Sequence, residues 1–156
     1  MNKQILSEDL KIGNWVNLFL GYEGEMNAQY RAIQIKGIME NIAGDFYYLN
    51  PVDNTWVLKT QNLEGIPFTE YILQNNKTPF EFNEKTGHWV MNYGRNGNPN
   101  HDRILYIGYE GELNIGWYYG IQDPVFDSVI INTFSCVHEL QNIVKDITKN
   151  KLEIIL

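Results

Sequence analysis

The chain has 156 residues, 44% apolar and 13% aromatic, a length and composition that suit one globular domain with an ordinary core. Its net charge of −7, with only three arginines (Arg31, Arg95, Arg103) and no basic run, argues against a nucleic-acid partner, since phosphate binding needs clustered Lys and Arg. A single cysteine, Cys136, leaves no intramolecular disulfide or multi-cysteine metal site, and no stretch nears the roughly 20 apolar residues of a membrane span.

Ile12-Gly13-Asn14-Trp15-Val16-Asn17-Leu18 and on to Leu20 reads as a first strand, with Gly13 letting the chain turn into it. Glu23-Gly24 turns into a second strand over residues 27–38, where Ala32, Ile33, Ile35 and Ile38 mix with Gln34 and Lys36 as on a half-buried surface. Turn signals at Gly44-Asp45 and Pro51-Val52-Asp53-Asn54 flank Phe46-Tyr47-Tyr48-Leu49, and a strand over 55–59 follows. Four short strands on tight turns suggest a small curled sheet, by analogy SH3-like.

Next, Ile66-Pro67-Phe68-Thr69-Glu70-Tyr71-Ile72-Leu73 predicts a short helix, with Thr69 at its N-cap and Glu70 in its first turn. Phe80-Glu81-Phe82 and His88-Trp89-Val90-Met91 flank Lys85-Thr86-Gly87 as a hairpin. Residues 94–102 form a long polar loop, strands are expected near 103–109 and 113–121, and Asp123-Pro124 is expected to end the sheet. Cys136, Val137, Leu140, Ile143, Val144 and Ile147 then fall on one helical face, with Ser135 as cap and Asn150 in the left-handed position past the end. Leu152-Glu153-Ile154-Ile155-Leu156 is a candidate terminal strand. The fold expected is α+β: antiparallel β-hairpins in a curved sheet, a short central helix and a C-terminal amphipathic helix, as a single domain with a subdivision near residue 65.

One ten-residue phrase occurs twice, 87 residues apart: Leu18-Phe19-Leu20-Gly21-Tyr22-Glu23-Gly24-Glu25-Met26-Asn27 and Leu105-Tyr106-Ile107-Gly108-Tyr109-Glu110-Gly111-Glu112-Leu113-Asn114. Seven positions are identical, and each copy spells a β-hairpin. The flanks Ala28-Gln29-Tyr30-Arg31 and Ile115-Gly116-Trp117-Tyr118 share little, so the reading is one hairpin solution used twice. Glu23, Glu25, Glu110 and Glu112 would make a cation site only if the two tips met, and they lack the Asp-rich loop of a calcium site. They read as exposed turn carboxylates.

Three segments carry a resemblance: Glu8-Asp9-Leu10-Lys11-Ile12-Gly13-Asn14-Trp15-Val16, Ile66-Pro67-Phe68-Thr69-Glu70-Tyr71-Ile72-Leu73 and Val137-His138-Glu139-Leu140-Gln141-Asn142-Ile143-Val144. They resemble a family of small uncharacterised proteins of Bacteroidota phages and mobile elements, with its IPLTEEWLLKFGF-like and YVHQLQNLYFALTGEEL-like motifs. The Lys-Phe-Gly-Phe ending of the first motif is missing here. The resemblance implies a mobile-element setting and no particular chemistry. A cytoplasmic location in the bacterial host is expected because the start, Met1-Asn2-Lys3-Gln4-Ile5, has no apolar core of signal-peptide length and no membrane span is in prospect.

Catalytic motifs are absent from the sequence. His88, His101 and His138 are isolated, and no phosphate loop, G-x-S-x-G or G-x-G-x-x-G occurs. Cys136 lies on the apolar helix face, as an inert thiol would. The stripe His138, Gln141, Asn142 and Lys145 can either present polar groups to a ligand or satisfy neighbouring backbone. The best specific site is the loop bearing Tyr93, Arg95, Asn98, Asn100, His101 and Arg103, together with Trp117 and Tyr118, because aromatic faces and Arg suit a base-and-phosphate ligand. The competing reading is an ordinary polar loop over a sheet of packed aromatics.

The expected function is non-catalytic: sequestration of a small nucleotide-like molecule such as a host defence signal, without metal or cofactor. The alternatives are a host-protein binder without a pocket, and an enzyme on a small polar substrate. Oligomeric state is open, a homo-oligomer included.

Overall fold

A computed structural model describes residues 10–24, 27–49, 54–58, 63–94, 103–123 and 126–155. The described residues are mostly antiparallel β-sheet with two short helices, the α+β class expected. They form two compact units. One takes in Met1–Phe68, Cys136–Lys151 and Leu156, and the other Thr69–Ser135 and Leu152–Ile155.

In the first unit, β1 (Trp15–Glu23) pairs with β2 (Asn27–Gln34), and its other edge takes a short strand, β6 (Leu63–Gly65). A separate meander joins β3 (Ile38–Glu40), β4 (Phe46–Leu49) and β5 (Trp56–Leu58). The expected strand over 27–38 is thus two strands, parted at Ile35-Lys36-Gly37. Alternation places Val16 and Leu18 of β1 and Ile33 of β2 inward, where they join Leu10, Ile35, Tyr48 and Leu63 in one apolar cluster.

The helix of this unit, which we call α2, runs over Val137–Thr148 and buries Val137, His138, Leu140, Gln141 and Val144. Its ends differ from expectation by one residue each. Cys136, not Ser135, is the N-cap, and the Glu139 carboxylate accepts a 2.9 Å hydrogen bond from the Cys136 amide. Lys149 rather than Asn150 takes the left-handed position (φ 63°), and its amide donates to the Lys145 carbonyl. Cys136 is buried in this cap.

In the second unit, α1 (Glu70–Asn75) has Thr69 at its N-cap, without a side-chain cap bond, and buries Ile72 and Leu73. Five strands then follow as an up-and-down meander: β7 (Glu81–Asn83), β8 (His88–Asn92), β9 (Ile104–Glu110), β10 (Gly116–Asp123) and β11 (Phe126–Phe134). The sheet does not end at Asp123-Pro124. Phe126–Phe134 pairs with β10 as β11, a nine-residue edge strand with two bulges against it. Leu152–Ile155 is not a strand; Leu152 and Ile154 are buried, and the Ile155 amide donates to Asn76 Oδ1 at 2.7 Å.

Both copies of the repeated phrase are hairpins, built differently. In the first, Gly21 sits at a bulge with φ 125°. In the second, the equivalent Gly108 lies in regular pairing opposite Tyr118, and the turn uses left-handed Asn114 and Gly116.

Candidate functional site

The five-stranded sheet has two unlike faces because side chains alternate. On one, Met91, Leu105 and Ile107 are buried. The other is built in cross-strand rows. Val90, Tyr106, Gly120 and Ile130 form one row across β8–β11. Asn83 pairs with His88 and Gly108 with Tyr118, while Ile104 pairs with Gln122. Over these rows lies a cavity of about 250 Å³, lined by Asn83, Thr86, His88, Val90, Ile104, Tyr106, Tyr118, Gln122, Ser128 and Ile130.

Two glycines shape it. A Cβ on Gly120 would collide with the Tyr106 phenol, and one on Gly108 would collide with the Tyr118 phenol and with His88 Cδ2. Each tyrosine therefore leans across the sheet over the glycine paired with it, an aromatic covering a strand glycine. The pattern is written in the chain: Tyr106-Ile107-Gly108 and Tyr118-Tyr119-Gly120 are the same Tyr-x-Gly, and antiparallel pairing sets each Tyr opposite the other's Gly.

His88 completes the cluster. Its Nε2 lies 2.9 Å from the Tyr118 hydroxyl, and its ring centroid is 5.2 Å from that of Tyr106. Tyr106 is 8% exposed; burial, reinforced by the neighbouring Tyr118, raises its phenol above the usual pKa of 10.0. It is thus a neutral hydrogen-bonding group at pH 7. Asn83 is engaged in the β7–β8 turn, where its Oδ1 accepts from the Lys85 amide and its carbonyl from Gly87.

Of the residues singled out by sequence, Tyr118 lies in the cavity. Trp117, its neighbour, takes the opposite face and packs 5.1 Å from Tyr109 and 6.5 Å from Phe134. The Tyr93 amide donates to the Arg103 carbonyl at 2.9 Å, so these two close the base of the loop beside Ile104. Arg95, Asn98, Asn100 and His101 lie outside the described residues. His88, Tyr106 and Gln122 are not among the residues the sequence singles out; the crossed Tyr-x-Gly pair is a signal for Tyr106, whereas His88 and Gln122 join it only through strand pairing.

The polar stripe of α2 serves the backbone at least in part. Gln141 accepts from the Trp15 amide at 2.9 Å and donates to the Gly13 carbonyl at 3.2 Å, while Asn14 Nδ2 donates to Asn142 Oδ1 at 3.1 Å. Lys11 also reaches Asp146 at 2.8 Å. The turn glutamates act locally: Glu23 accepts from Gln29, and Glu110 accepts from the amides of Glu112 and Leu113, while Glu25 lies outside the described residues. Among the described residues no group of three or more His, Cys, Asp or Glu is placed to hold a metal ion, and no helix is long and apolar enough to cross a membrane.

No family model matches this chain, and no curated protein or solved structure shows significant similarity to it.

Proposed function

We propose that this chain is a non-catalytic binding protein of a phage or mobile element, which sequesters a small nucleotide-like molecule, such as a host defence signal, on the open face of the five-stranded sheet. The observation that carries the reading is the cavity of about 250 Å³ over Tyr106, Tyr118 and His88. Concave, mostly apolar sites with a few convergent polar groups are where small ligands bind. Arg103, whose carbonyl accepts from the Tyr93 amide, directly precedes the lining residue Ile104, which supports the reading. A cytoplasmic location in the bacterial host goes with this reading.

The test is a thermal-shift panel of nucleosides and nucleotides, with the bound species identified by mass spectrometry. Stabilisation with the ligand recovered unchanged is the expected result. Recovery of an altered molecule would assign catalysis instead, with His88 and Tyr118 as the acid–base pair. No shift with any member would overturn the small-molecule reading.

A second reading, docking of a host protein, is favoured by the edge strand β11, where Val129, Ile130 and Ile131 are 56%, 61% and 47% exposed. An extended partner segment can add to such an edge. For the first unit, two three-stranded antiparallel sheets sharing one apolar cluster support the SH3-like reading. Buried Val137, Leu140 and Val144 beside exposed Lys145 and Asp146 support an amphipathic α2.

A further inference from the structure

We infer that the cavity grips the uncharged base of its ligand rather than a phosphate, with Gln122 reading the edge of that base. The inference rests on the small-molecule reading above and sharpens it to a ligand class: nucleosides should fill the site about as well as their nucleotides.

Chemistry, size and geometry each point this way. Recognition of phosphate calls for Arg or Lys forks, or for the amides of a helix N-terminus. Among the described residues the cavity lining offers neither: it consists of phenols, an imidazole, carboxamides, hydroxyls and aliphatic groups on strands and a turn. The chain's net charge of −7 adds a field that opposes anions. The volume, about 250 Å³, falls just under the roughly 300–1,000 Å³ typical of ligand sites, which suits one heteroaromatic ring system.

Gln122 stands in register with Ile104, one row beyond the Tyr106–Gly120 pair, and is exposed at the cavity. Its carboxamide offers a donor and an acceptor side by side, the complement of a base edge. Tyr106 and Tyr118, leaning over Gly120 and Gly108, supply the aromatic surface against which a base packs. A methyl on Gly120 would meet both the Tyr106 phenol and the Val129 carbonyl oxygen of β11, so it disturbs the cavity floor and the β10–β11 pairing together.

The experiment is isothermal titration of the full chain with the four common ribonucleosides and their 5′-monophosphates, repeated with Gln122→Ala and Gly120→Ala. At least one nucleoside should bind within about threefold of its monophosphate, and either substitution should weaken it by about tenfold, equivalent to roughly 1.4 kcal/mol. Gly120 is buried, so its variant can fail to fold; Gln122 is exposed, and its variant keeps the measurement decisive. A monophosphate preferred tenfold or more over every nucleoside would overturn the inference while leaving the small-molecule reading standing. Nucleoside affinity unchanged in Gln122→Ala removes the role given to that residue. If none of the eight compounds binds, both readings fall.

Discussion

The Tyr118 hydroxyl meets His88 Nε2 at 2.9 Å although their strands, β10 and β8, do not pair with each other. The bond passes over β9 at Gly108, where a Cβ would collide with both the Tyr118 phenol and the His88 ring. Gly108→Ala should therefore part the two residues and cost about 1–3 kcal/mol, as overpacking does. Tyr118→Phe, which removes the bond alone, should cost about 0.5–1.5 kcal/mol. Urea unfolding of the two single variants and the double variant should show less than additive loss, since the methyl already breaks the bond. Additive losses would mean that Gly108 and the hydrogen bond act independently.

Gln141 ties α2 to the backbone at the start of β1. Gln141→Ala leaves the Trp15 amide without this acceptor and should cost about 1–3 kcal/mol. Hydrogen exchange is the direct check, because protection of the Trp15 amide should fall more than that of amides in β9. Unchanged protection would show that another group replaces the carboxamide.

Local chemistry explains which elements were legible beforehand. The β9–β10 hairpin announces itself through Tyr109-Glu110-Gly111-Glu112, and α2 through the spacing of Val137, Leu140 and Val144. β11 was hidden because its two bulges break the two-residue period, so Val129, Ile130 and Ile131 read as an unpatterned run. The cavity was half legible. Tyr118 was named for its aromatic character, whereas Tyr106 and His88 become neighbours only through strand pairing, which a linear scan for charge and aromatics does not capture. Ends of α2 slipped by one residue because Cys136 and Lys149, which are unusual in those roles, took the cap positions.

Alkaline titration gives a further prediction. Burial raises the Tyr106 phenol above its usual 10.0, so the folded state holds that proton more tightly than the unfolded chain. The resulting stabilisation is complete below about pH 10 and is lost as pH rises through the raised value. Melting temperatures of wild type and Tyr106→Phe, followed from pH 8 to pH 11.5 on the order of half-unit steps, should diverge only above pH 10, the wild type falling more steeply. Parallel curves would show that Tyr106 titrates alike in both states.

Core burial sets the largest single effect expected. Leu140 is fully buried on α2, so Leu140→Ala should cost about 2–5 kcal/mol. Lys145→Ala, on the exposed side of the same helix, should change stability by no more than about 0.5 kcal/mol. Chemical denaturation of the pair distinguishes a helix held by packing from one held by its own propensity.

The order of the two units along the chain has a consequence for biosynthesis. Thr69–Ser135 is inserted between β6 and α2 of the first unit. A ribosome therefore completes the β7–β11 meander, whose neighbours are adjacent in sequence, before it releases the helix that the first unit needs. The meander can form as it emerges, whereas the Trp15–Gln141 bond must span 126 residues of chain. Until α2 emerges, the first unit has its strands but not the helix whose Gln141 accepts from the Trp15 amide.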